Sequence, residues 1–312
     1  MSPRLLYTGQ VVIDLVMGID HLPRPGGDVL AHSAQFEAGG GFNVMAAACR
    51  NGLRTCYLGR HGRGRFGDLA RQAMHEEGIE WLTAIDEAQD TGLSVALIEP
   101  NAERSFISHI GAEGGLGAAD LARGQPMAGD FVFVSGYSLL HPDKATCLVS
   151  WVVALEAGVT VVFDPGPLVD SPATMLMQWL LPRIDLWTSN REEALRFSGA
   201  DSLPAALETI AGYLPPGARV LIRDGGNGCW LWQAGGAVHV PGFPVEALDT
   251  NGAGDAHAGV LLAGLAAGLN DVEAARRANA AAAIAVTRWG PATAPSAVEL
   301  DQALAERSIR QG

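Results

Sequence analysis

The chain has 312 residues, 48% hydrophobic and 18% charged, a balance that fits a globular fold and excludes a disordered or membrane-embedded chain. Its formal net charge of −13 argues against a nucleic-acid or anionic-membrane surface. An anionic ligand would have to be met locally, by backbone dipoles, Mg2+ or a few arginines.

Residues 5–9 predict a short buried strand, continued by the apolar run 11–17, which a single carboxylate, Asp14, interrupts. A charge there needs a partner. It could cap a turn or hold two hydroxyls of a polyol. After the turn cluster Pro23-Arg24-Pro25-Gly26-Gly27, residues 28–37 predict a polar-interrupted strand. Residues 91–99 and 104–110 predict a hairpin turning at 100–103. These pieces fall outside any βαβ rhythm and suggest a small sheet standing off the main body as a lid.

Gly39-Gly40-Gly41-Phe42-Asn43 precedes an Ala-rich helical stretch at 44–49. The three glycines would let a ligand approach the backbone. Asn43 could cap the helix or offer a donor and an acceptor to sugar hydroxyls. Gly62-Arg63-Gly64-Arg65-Phe66-Gly67 then matches G-x-G-x-x-G between a predicted strand (55–58) and a predicted helix (68–77), with Asp86 about twenty residues on. That is a dinucleotide-binding pattern of little information, set well inside the chain.

From residue 130 strands and helices alternate, which implies a parallel sheet covered on both faces. Strands are expected at 131–135, 159–163, 186–189 and 220–223, with a hairpin over 229–240. Helices are expected at 144–157, near 171–181, at 192–199 and 203–214, with two more at the end. Ligands in such sheets lie at the carboxyl ends of the strands, where Asp164, Asn190, the turn Gly225-Gly226-Asn227-Gly228 and Asp255 all fall. The most informative stretch is Asp249-Thr250-Asn251-Gly252-Ala253-Gly254-Asp255, which opens into the apolar run 256–269. Its glycines leave backbone N–H groups uncovered at the positive end of a helix dipole, a site for a phosphoryl group. Asp255, in the first turn, could accept a proton from an attacking hydroxyl. An ordinary Gly-rich loop with a capping Asp is the plainer alternative.

The only lysine, Lys144, follows no glycine loop, which closes the Walker A and Schiff-base routes. The four cysteines show no CxxC spacing, so zinc and dithiol chemistry have no support and buried thiols in a reducing compartment are expected. Neither a signal-peptide layout nor a run of about 18 apolar residues occurs, and a cytoplasmic protein is expected.

Taken in order, Gly39–Asn43, Asn190-Arg191-Glu192-Glu193, the turn from Arg223 to Gly228 and Asp249–Asp255 resemble the motifs of the ribokinase (PfkB) family of carbohydrate kinases, over essentially the whole chain. The resemblance implies an α/β fold: one three-layer α/β/α domain spanning 1–312, with a mostly parallel central sheet and a small β-sheet lid from about 11–38 and 91–110. It implies ATP-dependent phosphorylation of a hydroxymethyl group on a sugar or sugar-like molecule. Asp255 would be the catalytic base, and Gly252, Ala253 and Gly254 the anion hole. Asp14, Gly39, Gly40 and Asn43 would hold the sugar. Asn190, with Glu193 acting through water, would organise phosphates and Mg2+, and Arg223, Gly225, Gly228 and Asn279 would lie near the nucleotide. An activating K+ would face Asp249, Asn251, Ala285, Arg288 and Gly290, mostly through backbone oxygens.

Four positions depart from the family pattern. Ala38 stands where the glycine motif commonly begins with glycine, His257 where phenylalanine is common, and Ala294 where the cation loop often has serine. Gly136-Tyr137 replaces the glutamate of ribose-specific members, which weakens ribose as the acceptor. A nucleoside kinase shares fold and motifs and is the first alternative. An NAD-dependent oxidoreductase built on Gly62–Gly67 and a non-catalytic sugar-binding regulator are remoter ones. An exposed lid sheet offers an edge through which a homodimer could form.

Overall fold

The computed structural model describes residues 2–100, 104–167, 169, 174–233 and 236–311, with backbone alone for 307–311. Nine strands form the main sheet: β1 (Arg4–Tyr7), β4 (Arg54–Tyr57), β6 (Glu80–Trp81), β10 (Phe131–Ser135), β11 (Thr160–Asp164), β12 (Leu186–Asn190), β13 (Arg219–Arg223), β14 (Gly228–Gln233) and β15 (Gly236–Pro241), numbered in chain order with the strands below. Their order is β15-β14-β13-β12-β11-β10-β1-β4-β6. All pairs are parallel except β13–β14 and β14–β15.

The strand sequences show why both faces are covered. In β1 and β10, Leu5, Tyr7, Phe131 and Phe133 point to one face while Leu6, Val132 and Val134 point to the other, and each set joins a separate buried cluster. Near-continuous apolar strands of this kind are stable only between two helical layers. The first layer is α1 (Gly41–Arg50), α2 (Arg65–Glu76), α8 (Ala253–Ala266) and α9 (Asp271–Ala285). The second includes α4 (Pro142–Val153), α6 (Arg191–Ser198) and α7 (Leu203–Tyr213), with the shorter α3 (Ala118–Leu121) and α5 (Met175–Leu180) beside them. The terminal α10 (Ala297–Gln311) packs on α9. The expected helix near 171–181 is seen from Met175, and residues 170–173 lie outside the described set.

A second sheet, ordered β3-β2-β8-β9, is built from β2 (Val11–Gly18), β3 (Ser33–Gly40), β8 (Leu93–Ile98) and β9 (Arg104–His109). These are the expected off-body strands, except that the one read over 28–37 begins at Ser33 and runs to Gly40. The turn read at 100–103 lies outside the described residues beyond Pro100. On β9 the side chains of Phe106 and Ile107 are exposed.

A third, two-stranded pairing, β5 (His61–Gly62) with β7 (Ile85–Asp86), carries the G-x-G-x-x-G segment. It belongs to neither large sheet. In the main sheet the order reverses between β1 and β10, the place where parallel sheets open a crevice beyond their carboxyl ends.

Candidate active site

Apart from Asp255 and His257 in its first turns, the helix α8 is apolar all round, which suits it to the interior. It lies between α1 and α9, and a Cβ at Gly259 would come within 2.6 Å of the Ala47 methyl, so small residues set that contact. Burial fixes where its N-terminus points. Gly252, the residue before the helix, has φ 71° and is closed over by the Pro291 carbonyl, so a side chain there would be both strained and blocked. No side chain among the described residues caps this helix, and Asp255 is its only first-turn acid. Gly254 faces the Arg223 guanidinium, which a methyl there would meet at 3.5 Å.

Asp255 accepts a hydrogen bond from Asn43 Nδ2 at 3.1 Å, across 212 residues of sequence. Burial pushes its carboxyl up to about 6; the Asn43 bond and Arg223 oppose that rise, while Asp164 and Asp14 add to it. The other amide atom of Asn43, Oδ1, is buried without a protein partner, so one acceptor remains open beside the carboxylate. Asn43 does not cap α1; Gly40 holds that position.

The three glycines before Asn43 are also required by packing and turn geometry within the chain. A side chain at Gly39 would overlap the Asp14 carboxylate, and one at Gly41 would overlap the Tyr7 ring. Gly40, at φ 61°, turns the chain from β3 into α1. They make room for the protein's own side chains. Asp14, opposite Glu37 in the β2–β3 ladder, is raised to about 6 by burial and then by Glu37. Tyr7, fully buried, is raised by burial and by Asp255 and Asp164.

On the other side of α8, Arg223 at the end of β13 gathers three elements. It donates to Thr188 Oγ1 at 2.8 Å, pairs with Asp164 at 3.2 Å and lies 3.8 Å from Glu193. Asn190 and Glu193 form a reciprocal cap of α6: Asn190 Oδ1 accepts from the Glu193 N–H and Glu193 Oε2 from the Asn190 N–H, both at 2.8 Å. Burial and then Asp164 raise the Glu193 carboxyl. Gly225 and Gly226 border open space, whereas Gly228, at φ 99°, turns under the Val240 carbonyl. Asn279 is buried and donates to the carbonyls of Val240 and Pro241 at 3.0 and 3.2 Å, with His257 Nε2 3.1 Å from its Oδ1. It therefore shapes the wall behind the turn. His257 packs inside, and burial, reinforced by Arg223, holds it neutral with a pKa of about 3.

The residues read as cation ligands form a loop with its own bonds. Asp249 Oδ1 accepts from the Asn251 N–H at 2.8 Å and Oδ2 from the Gly290 N–H at 3.1 Å. The Ala285 carbonyl accepts from the Arg288 N–H at 3.0 Å and from Thr293 Oγ1 at 3.1 Å, and the Gly290 carbonyl from Thr293 Oγ1 at 3.3 Å. The Arg288 side chain turns away, to Thr293 O and Glu299. Arg104, on β9 of the second sheet, pairs with Asp249 Oδ1.

The dinucleotide pattern is closed off. Asp90 accepts from the N–H groups of Phe66 and Gly67, at 3.0 and 2.8 Å, and so takes the start of α2 itself. Asp86 is tied to the backbone of Ala88 and Gln89 and paired with Arg60, which leaves no carboxylate for a ribose. A cleft of about 560 Å3 lies at the amino ends of β11 and β13, the wrong end of the sheet for a ligand. Sequence reading missed Arg104, Glu37 and Tyr7. Each earns its place by a neighbour far away in the chain, and no local pattern marks it.

The sequence matches the family described as pfkB family carbohydrate kinase over residues 3–297. It is 32% identical over 300 residues to an uncharacterized sugar kinase, YegV, of Escherichia coli K12, covering 95% of this chain and 92% of that one. It is 30% identical over 312 residues to an ATP-dependent ribose-1-phosphate kinase of Halopiger xanaduensis, covering 97% and 99%. The fold superposes on that of a ribokinase-like protein of Escherichia coli solved in complex with ATP and Mg2+, with a TM-score of 0.84 at 21% identity, over 97% of this chain and 99% of that one. No helix among the described residues is long and apolar enough to cross a membrane.

Proposed function

The chain belongs to the pfkB family of carbohydrate kinases, and we propose that its reaction is transfer of the γ-phosphoryl group of ATP to a hydroxymethyl oxygen of a sugar or sugar-like molecule at the start of α8. The observation that carries this reading is the Asn43–Asp255 bond at an uncapped, glycine-opened helix N-terminus. It joins a candidate base, a polar residue with an open acceptor and an anion-binding backbone in one place.

The hydroxyl proton passes to the Asp255 carboxylate as the oxygen forms its bond to the γ-phosphorus. The bond from that phosphorus to the β–γ bridging oxygen breaks, and ADP leaves. The N–H groups from Gly252 to Gly254 meet the charge on the moving phosphoryl oxygens, and Arg223, beside Gly254, supplies a fixed positive charge. Asp14 and Asn43 hold the hydroxyls that bring the acceptor into line. Their neighbourhood is acidic, with Asp14, Glu37 and Asp255 together, which supports a neutral polyol face there. Asp164 and Glu193 flank the phosphate side, both already hydrogen-bonded, and so fit a hydrated Mg2+ better than a bare one. Bound there, Mg2+ would offset phosphate charge. The residues do not fit K+ equally well, because Asp249 is already paired with Arg104.

The test is ADP release from Mg-ATP over a panel of pentoses, hexoses, phosphosugars and nucleosides. Activity with one sugar supports the proposal and names the acceptor. Preference for a nucleoside would replace the acceptor class, and silence over the whole panel would count against phosphoryl transfer.

A further inference from the structure

The carboxylate expected to face an activating cation has a cation already. Arg104 comes from β9 of the second sheet, 145 residues away from Asp249, and its guanidinium pairs with Asp249 Oδ1. Among the described residues it is the one cation in ion-pair range of Asp249. The pair is poorly exposed, with side-chain exposures of 20% for Arg104 and 5% for Asp249, so solvent and salt screen it weakly. The rest of the Asp249 carboxylate is used by the N–H groups of Asn251 and Gly290, and two carbonyls of the same loop, Ala285 and Gly290, accept from Thr293. The loop is thus closed by donors belonging to the chain.

We propose that the Arg104 guanidinium takes the place of a monovalent cation at Asp249, so that the loop leading into the anion hole is organised without K+ and is tied to the second sheet. Only the identity of the adjoining anion hole rests on the kinase reading. A tethered charge can do this work because the role is electrostatic and structural. Asp249 lies three residues before Gly252, and a neutralised, hydrogen-bonded Asp249 holds that turn. Arg104 Nε is buried without a protein partner. The side chain therefore keeps a donor for a ligand under the second sheet, which would couple closure of that sheet to the loop. Arg104 is a positioning residue in this account.

The experiment compares the wild type with Arg104→Ala and Arg104→Lys, in KCl and in tetramethylammonium chloride at equal ionic strength. Melting temperature of the ligand-free protein is read first, because it does not depend on which acceptor is used. ADP release follows with the acceptor the panel identifies. The wild type should melt at the same temperature in both salts and turn over equally. Arg104→Ala should lose roughly tenfold or more in turnover without K+, the scale of a charge-assisted hydrogen bond. It should gain melting temperature and rate as K+ is added. Arg104→Lys keeps a tethered charge and should remain indifferent to K+. A wild type that is stabilised saturably by K+ would overturn the proposal, and so would an Arg104→Ala protein that folds and ignores K+. If no acceptor is found, the kinase reading fails while the melting comparison still decides this one.

Discussion

Two helix starts in this chain share spaced glycines and differ in what fills them. Gly62–Gly67 leads into α2 and Asp249–Asp255 leads into α8, each with spaced glycines and an acid in the first turn. At α2 the donors are taken by Asp90, a residue of the same chain. At α8 no side chain among the described residues caps the helix, its one first-turn acid bonds to Asn43, and Arg223 lies alongside. A glycine-rich turn before a helix makes an anion site only when the protein withholds its own anion. What separates the two is the tertiary neighbour, 23 or 24 residues off in one case and 212 in the other.

The largest effect should come from Asp255→Asn. Loss of a positioned base is expected to lower turnover by roughly a thousandfold, read as ADP release, with the fold kept. Because burial raises this carboxyl from 3.8 to about 6, the folded state binds the extra proton between those values. The group's contribution to stability is therefore complete below about 4 and lost as pH rises through about 6. Asp255→Asn should accordingly melt no lower than the wild type at pH 7.5. Any gain should shrink as the pH falls toward 4.

Gly252→Ala comes next. It forces a side chain into φ 71° against the Pro291 carbonyl, and should cost on the order of 1–3 kcal/mol in denaturant unfolding while also removing activity. A Gly252→Ala protein of native stability would show that the turn is not rigid. The pH profile of kcat/KM should fall below about pH 6, about tenfold per unit, as Asp255 takes up its proton. A flat profile down to pH 5 would mean another base. At α2 the pattern should invert: Asp90→Ala should lose about 1–2 kcal/mol of stability by uncapping the helix, with turnover unchanged. If it instead abolished activity, the two helix starts would be less distinct than the geometry makes them. Smallest for catalysis, Ile107→Asp on the exposed face of β9 should shift the sedimentation profile from dimer toward monomer if that face pairs with a second copy.

Much of this was legible beforehand. Apolar strands such as Phe131–Ser135 and the βα alternation gave the parallel sheet, because two-faced burial leaves a continuous apolar run. The off-body strands were legible for the converse reason, their polar interruptions. Asn43 and Asp255 could be named from motif alone. Their mutual bond could not, since nothing local brings residues 212 positions apart together. Gly39 and Gly41 illustrate a subtler limit: sequence showed that glycine was used, and only the packing of Asp14 and Tyr7 showed what it accommodates. Arg104 had no signal, being one arginine in a chain with many, and Lys144, the only lysine, proves to be buried against the Glu113 carbonyl at 3.0 Å. The G-x-G-x-x-G pattern carried little information, and Asp90, the residue that fills the start of α2, lies outside it.

The most direct test of the central claim is ADP release from Mg-ATP by the wild type and Asp255→Asn side by side, over the same acceptor panel and with both melting curves recorded. The account predicts a wild type active on a sugar acceptor and a folded variant that has lost nearly all of that rate. A folded Asp255→Asn protein turning over near the wild-type rate would contradict it.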